Sequence, residues 1–341
     1  MRSVVVHGAG DVRVEERPVP VPGPGEVLVA MEWGGICGSD IAYATKGMSG
    51  TAALRHPLVL GHEVAGRVAE LGAGVDVEIG LPVTVHPATV VGDTVLPSRI
   101  AGRDNLHPCV RYFGSAAQDP HTDGGFSGYR VVRASQLRPL PPGVDTRLGA
   151  LAEPLAVALH AVSRAGSVEG RTVLVNGAGP IGALVVAALR YRGAASVIAA
   201  DLSAAALAVA ASMGASETVD LSAGAVLPSD VEVVVEASGA PAAVGAVLRA
   251  TARGGTLVQV GNLPGAAVQA ALGELVTREI SWVGSYRFAS ELNEALVAMG
   301  SGLDVSPVVT HQFDIDDAGV ALATAGDRST GSSKVLLRLG R

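Results

Sequence analysis

Aromatic side chains are scarce in this chain, making up 3% of its 341 residues. Its core must therefore be filled with smaller apolar groups, and Ala, Val and Leu supply them. Hydrophobic residues reach 48% and charged residues only 17%, which excludes a disordered chain. Lysine occurs only at Lys46 and Lys334, and the net charge is -7. That balance argues against a nucleic-acid surface. Two cysteines cannot build a disulfide framework, so a reducing compartment is expected. No apolar run reaches about twenty residues, the length a membrane helix needs. The best candidate, Ile181 to Ala200, is broken by Arg190 and Arg192. Met1 to Gly10 reads as a strand and lacks the apolar region of a signal peptide. A soluble, cytoplasmic protein with no membrane or nucleic-acid partner is the expectation.

What is abundant is glycine, with 44 residues and no short repeat, which excludes a collagen-like chain and implies many turns. The length suits two domains. Residues 1–150 read as short strands punctuated by Pro and Gly, as in VPGPGEVLVAM and VAGRVAELGAG. Such spacing predicts a partly open, barrel-like β domain. From 151 the texture alternates between strand and helix. Strands are expected at Thr172 to Asn176, Ser196 to Ala200, Val231 to Val235, Thr256 to Val260 and Ile280 to Gly284. Helices are expected at Pro180 to Arg192, at Ser203 to Met213 with Ser203 as N-cap, and near Ala242 to Ala252. This βαβ series predicts a doubly wound parallel sheet over 151–285, and residues 286–341 return to mixed texture. The fold class is α/β.

Two stretches carry chemistry. The first, Trp33 to Glu63, offers the Cys37 thiol and the adjacent His62 and Glu63. Thiolate, imidazole and carboxylate can form three legs of a tetrahedral Zn2+ site whose fourth position stays open for an exchangeable ligand. Alone, a Cys and a His 25 positions apart are usually a small buried residue and a core histidine. Glycines at 34, 35, 38 and 61 favour the site, because they permit tight turns and close approach. Ser39, two residues after Cys37, is placed to pass on a proton. The second stretch, Gly177-Ala178-Gly179-Pro180-Ile181-Gly182, is a G-x-G-x-x-G turn between a strand and a helix, with Asp201 ending the next strand. Gly177 makes the turn, Gly179 admits a pyrophosphate, and Gly182 lets the helix pack closely. The helix N-terminus faces the phosphates. Asp201 suits the ribose hydroxyls of NAD and repels the 2′-phosphate of NADP. Gly261, after the strand near Thr256 to Val260, joins this cofactor set.

The phrases GGICGSD and HPLVLGHEVAGRV resemble the zinc-dependent medium-chain dehydrogenases. Within them the chain is most similar to the polyol branch, which includes sorbitol, threonine and L-idonate 5-dehydrogenases, the last above all. The resemblance implies a GroES-like catalytic domain over 1–150, a Rossmann NAD-binding domain over 151–285, and a return segment over 286–341 that completes the first. It places the site in the cleft between domains. Glu153, in LAEPLAV, matches the EPL motif, whose carboxylate reaches the zinc or its water. Tyr43, Ser115 in FGSA, and Arg287 in GSYRF match segments near the substrate, and Arg287 could also meet a cofactor phosphate. A homodimer or homotetramer is implied. Two departures stand out. The relay histidine three residues after Ser39 is replaced by Ala42, and the arginine five residues after the ribose acid by Ala206.

Relatives also hold a structural zinc with four cysteines. Here the corresponding places are Asp93, Leu96, Arg99 and His107, with Cys109 out of register, so one zinc is expected. An Asp93–Arg99 ion pair could hold this lobe. Cys109 reads as a buried small residue, and His56, His86, His107, His121, His160 and His311 as structural or solvent-facing. The implied activity is NAD- and zinc-dependent oxidation of a secondary alcohol in a polyol or sugar acid. A zinc-free quinone reductase and a non-catalytic NAD-binding sensor are the alternatives.

Overall fold

The computed structural model describes residues 1–265 and 267–340. The chain forms two compact units: Met1–Glu153 together with Val309–Arg341, and Pro154–Val308.

The first unit is built on a seven-stranded sheet. Six strands lie in the order Leu137–Pro139, Pro82–Val85, Glu63–Leu71, Glu26–Gly35, Lys334–Arg338, Val309–Asp314, and Tyr129–Arg133 also pairs with Glu26–Gly35. Valine-rich sequence fits a pleated, half-buried surface, and Val27, Val29, Met31, Val64, Val68, Val83 and Val85 line its core. Register positions the chemistry. Glu26–Gly35 and Glu63–Leu71 are antiparallel, with Gly35 opposite Glu63, so the chain leaving one strand toward Cys37 lies beside the chain entering the other from His62. The strand Lys334–Arg338 pairs with the other edge of the same segment, Leu336 opposite Gly35.

The second unit carries a six-stranded sheet, parallel throughout, in the order Glu217–Asp220, Ser196–Asp201, Thr172–Asn176, Val231–Glu236, Thr251–Gln259, Ser281–Gly284. Counted along the chain this is 3-2-1-4-5-6, the doubly wound order. Parallel neighbours need crossovers, which the helices Pro180–Tyr191, Ala204–Ser212 and Val244–Ala250 help to provide. Ser203 caps the second of these, its hydroxyl accepting from Ala206 N at 3.3 Å. No described helix is long and apolar enough to cross a membrane.

Three boundaries differ from the sequence reading. The return to the first unit begins at Val309, not near 286. The helix Glu291–Gly300 stays with the second unit because Arg192 forks onto Glu294 at 2.7 Å and His160 Nδ1 meets Glu291 Oε1 at 2.8 Å. The expected helix near 242–252 is a 3-10 turn, Pro241–Ala243, followed by Val244–Ala250. The next strand starts early, at Thr251, whose backbone already pairs with Val231.

Glu291 also fixes an acid response. Burial alone would raise its pKa, but the bonds from His160 and Ala289 N outweigh burial and hold it at about 2. A depressed carboxyl stabilises the fold above its unfolded pKa of about 4.5 and loses that contribution as pH falls toward the folded value. Glu291→Gln should therefore be less stable than the native protein at pH 7. In denaturant titrations the gap should close between about pH 4.5 and about pH 2. A gap that stays constant across that window would contradict the assignment.

Candidate metal centre and dinucleotide turn

Cys37 precedes the helix Gly38–Lys46 in extended backbone, as its N-cap. The helix turns back at once on Asp40, which is fully buried. Asp40 Oδ2 accepts from Cys37 N at 2.9 Å and Oδ1 from Gly61 N at 3.1 Å. One carboxylate thus ties together the two loops that carry the expected ligands. Gly61 has φ +96°, and a Cβ there would lie 2.1 Å from Phe126 Cδ1, so only glycine fits. At Gly35 a Cβ would lie 2.2 Å from Glu63 Oε2, so the carboxylate occupies the space a side chain would fill.

The result is a cluster in which one ligand atom from each of Cys37, His62 and Glu63 lies within 4.8 Å of the others. Glu153 adds a second buried carboxylate, which accepts from the Tyr112 hydroxyl at 2.6 Å. The Tyr112 ring meets the His62 ring edge-on at 5.6 Å. Opposite stands Lys334, buried, with Nζ 2.8 Å from both oxygens of Glu63 and 3.1 Å from Ile36 O.

The electrostatics follow from packing several anionic groups out of water. Burial pushes the Glu63 carboxyl up, against the opposing charge of Lys334. Burial would lower Lys334, but Glu63 and Cys37 overcome it and raise the ammonium pKa. Burial would likewise lower His62, yet the charges of Cys37 and Glu153 raise it to about 10. The cluster thus favours positive charge near His62, beyond what Lys334 supplies. Thiolate, imidazole and carboxylate are the donor types of Zn2+ sites, and the residues fit that ion.

Ser39 lies in the first turn of the same helix, partly exposed. Tyr43, buried one turn on, accepts from Ala116 N at 3.0 Å, which brings it against the segment that holds Ser115. Ser115 is bridged through its backbone to Thr122. Arg287 lies in the second unit, at φ +52°, with its guanidinium 4.9 Å from the Tyr286 ring.

The dinucleotide turn has the expected form. Gly177 turns at φ +93°, and a Cβ on Gly182 would sit 1.8 Å from Gly177 O. Gly179 caps the helix Pro180–Tyr191, with Pro180 and Ile181 opening its first turn and open space in front of the glycine. Asp201 Oδ2 accepts from Ala178 N at 2.6 Å and Oδ1 from Ser203 N at 2.9 Å, so the acid is held against the turn. Gly261 packs on Gly239, where a Cβ would lie 2.3 Å from the backbone nitrogen. Beneath these loops the buried Glu236 carboxylate accepts from Asn176 Nδ2, Ser238 N, the Ser238 hydroxyl, Gly239 N and Gln259 Nε2. It pins three neighbouring strand ends at the point where strand order reverses.

The sequence alone assigns Asp40, Tyr112, Lys334 and Glu236 no place in a site. Lys334 carried a signal, as a lone lysine leading an apolar strand; Tyr112 carried none. Two expectations about the lobe are corrected. Asp93 and Arg99 form no ion pair, and both are exposed, Asp93 ahead of the 3-10 turn Ser98–Ile100 and Arg99 on it. Cys109 is only partly buried, because strand alternation sends Val110 and Tyr112 inward and Cys109 outward. His107 instead braces the lobe, with Nε2 3.0 Å from Thr94 O and Nδ1 accepting from Cys109 N at 3.1 Å.

Residues 23–142 match the alcohol dehydrogenase GroES-like domain family, and residues 180–301 match the zinc-binding dehydrogenase family. The chain belongs to the zinc-binding medium-chain dehydrogenases. It is 37% identical over 342 residues to the L-idonate 5-dehydrogenase (NAD(P)(+)) of Escherichia coli strain K12, covering 98% of each chain. A solved structure of L-idonate 5-dehydrogenase from that species superposes with a TM-score of 0.92 at 36% identity, over 99% of this chain and 97% of that one. Sorbitol dehydrogenase of Gallus gallus is 38% identical over 336 residues, 94% of this chain and 92% of the other. A putative zinc-binding dehydrogenase from Sinorhizobium meliloti 1021, solved bound to NADP, superposes with a TM-score of 0.88 at 32% identity over 99% and 98%. As a zinc-binding medium-chain dehydrogenase the chain is an oxidoreductase enzyme, with a GroES-like domain and a Rossmann-like parallel sheet.

Removing one partner of a buried ion pair strands the other charge, at a cost of about 3–5 kcal/mol. Lys334→Met should lose stability on that scale in chemical denaturation, and the double variant Lys334→Met/Glu63→Leu should regain most of it. Equal losses in the single and double variants would show that packing, not the pair, sets the cost.

Proposed function

We propose that the protein oxidises a secondary alcohol of a polyol or sugar acid, as an L-idonate 5-dehydrogenase-like enzyme, with NAD as acceptor. The observation that carries this reading is the convergence of Cys37, His62 and Glu63 within 4.8 Å. These three residues hold one zinc per chain, and Glu153 faces the same ion or its water. When bound, zinc supplies the Lewis acidity that makes a hydroxyl acidic at neutral pH, and NAD supplies the hydride acceptor.

The protein's own groups do the rest. Ser39 takes the hydroxyl proton and passes it to water, because Ala42 continues no relay. Tyr43, Ser115 and Arg287 contact the substrate, and a guanidinium suits a carboxylate or vicinal hydroxyls. Gly177, Gly179, Pro180, Ile181, Gly182 and Gly261 form the dinucleotide seat, which the helix N-terminus favours for phosphates. Asp201 binds the ribose hydroxyls and disfavours a 2′-phosphate by charge, so NAD is preferred to NADP. Both cysteines are free thiols, which fits a cytoplasmic enzyme. The edge strand Ser281–Gly284 has one open side and suits pairing with a second copy in a homodimer or homotetramer.

A panel of L-idonate, sorbitol, xylitol, threonine and butanediol, each with NAD and NADP, tests the reading. Cys37→Ala or His62→Ala should abolish turnover while NADH binding, followed by fluorescence, survives. A metal-free variant that still turns over would overturn the zinc assignment. Asp201→Ala should raise kcat/KM with NADP relative to NAD. A native protein that uses NADP at least as efficiently would remove Asp201 from that role.

A further inference from the structure

The first unit has a polar cavity, of about 430 Å3, which the proposed chemistry does not use. Its walls include Arg111, Arg130, His56, His121, Thr122 and Asp123. Arg130 is the exceptional member. It lies on the strand Tyr129–Arg133, opposite Val29, with its guanidinium 5.0 Å from the Phe113 ring centroid. Its Nε is out of solvent with no hydrogen-bond partner, and burial lowers its pKa. Arg130 forms no ion pair, because the acid that faces it, Asp123, is already engaged: Oδ1 accepts from Val59 N at 3.0 Å and Oδ2 pairs with Arg17 at 3.3 Å. Thr122 Oγ1 is a second buried polar atom without a partner on the same wall.

The imidazoles do not supply what is missing. Their rings stack at 3.7 Å. His121 Nε2 accepts from Arg55 N at 2.9 Å, so its proton sits on Nδ1, which reaches Gln118 O at 3.2 Å. His121 is therefore neutral with both nitrogens used, and burial also lowers its pKa. His56 leans on Asp119 at 3.6 Å. Arg111, partly exposed, spends a single bond on Pro120 O at 3.1 Å. Arg111 and Tyr112 alternate on one strand, so the cavity lies across that strand from Glu153 and the metal cluster.

A guanidinium partly withdrawn from water, whose facing acid Asp123 is shared with Arg17, is short of negative charge, and the orphaned Nε donor adds to the cost. An anion with several acceptor oxygens relieves both. We propose that this cavity binds a small oxyanion, the carboxylate or phosphate of a small molecule, on Arg130 and Arg111, with Thr122 Oγ1 donating to it. The planar fork of arginine matches both anions. The proposal concerns binding alone and stands whether or not the dehydrogenase reading does.

Calorimetry on the zinc-loaded protein at low ionic strength tests it with inorganic phosphate, gluconate and neutral sorbitol. Native protein should bind an oxyanion, and Arg130→Met and Arg111→Gln should each weaken that binding by about tenfold or more, the scale of one charge-assisted hydrogen bond. Sorbitol affinity should be the same in all three proteins. Methionine keeps the packing on Phe113, and should Arg130→Met fail to fold, the partly exposed Arg111→Gln carries the test. Gluconate binding would identify a sugar-acid carboxylate, and phosphate binding without gluconate a phosphorylated compound. Absence of oxyanion binding by the native protein, or an affinity unchanged in the variants, would overturn the proposal.

Discussion

Packing the buried His62, Glu63 and Glu153 side chains beside a partly exposed Cys37 is the constraint on which the rest of the first unit depends. Several potential negative charges out of water cannot coexist without positive charge near them. The chain answers part of that demand itself, with Lys334 clamped across both oxygens of Glu63. Lys334 begins a strand that can pair beside Gly35 only because the chain leaves the first unit at Glu153 and comes back at Val309. Sheet order, the late return and the charge balance of the cluster are thus one arrangement.

A second consequence is rigidity at the right place. Asp40 fastens Cys37 to Gly61, and Tyr112 fixes one oxygen of Glu153. Supporting groups of this kind set the direction of metal ligands as much as the ligands do. The dinucleotide turn is organised on the same principle in the second unit. There Glu236 joins three strand ends by accepting backbone and side-chain donors, with glycines where the following loops touch.

Much of this was legible in the sequence because it depends on local pattern. The turn at Gly177, the capping serine Ser203 and the strand Thr172–Asn176 each need only a few consecutive residues. Cys37, His62 and Glu63 were visible through the glycines around them. The pairing of Lys334 was not, since its partner Glu63 lies 271 positions away and only sheet pairing brings them together. Asp40 carries no local signal, and its link to Gly61 appears only when two strands are in register. The boundary near 286 was misplaced because the texture of the chain changes there, whereas His160 and Arg192 bind the following helix to the second unit. In each case the missing information is a long-range contact that leaves no periodic trace.

X-ray absorption at the zinc edge tests the central claim most directly, because it reports the atoms around the ion rather than the activity. The account predicts one zinc per chain with one sulfur neighbour near 2.3 Å and the remaining ligands nitrogen and oxygen. The sulfur shell should be lost in Cys37→Ala and kept in Cys109→Ala. A shell with no sulfur, one with several sulfurs, or a sulfur signal that survives Cys37→Ala would contradict it.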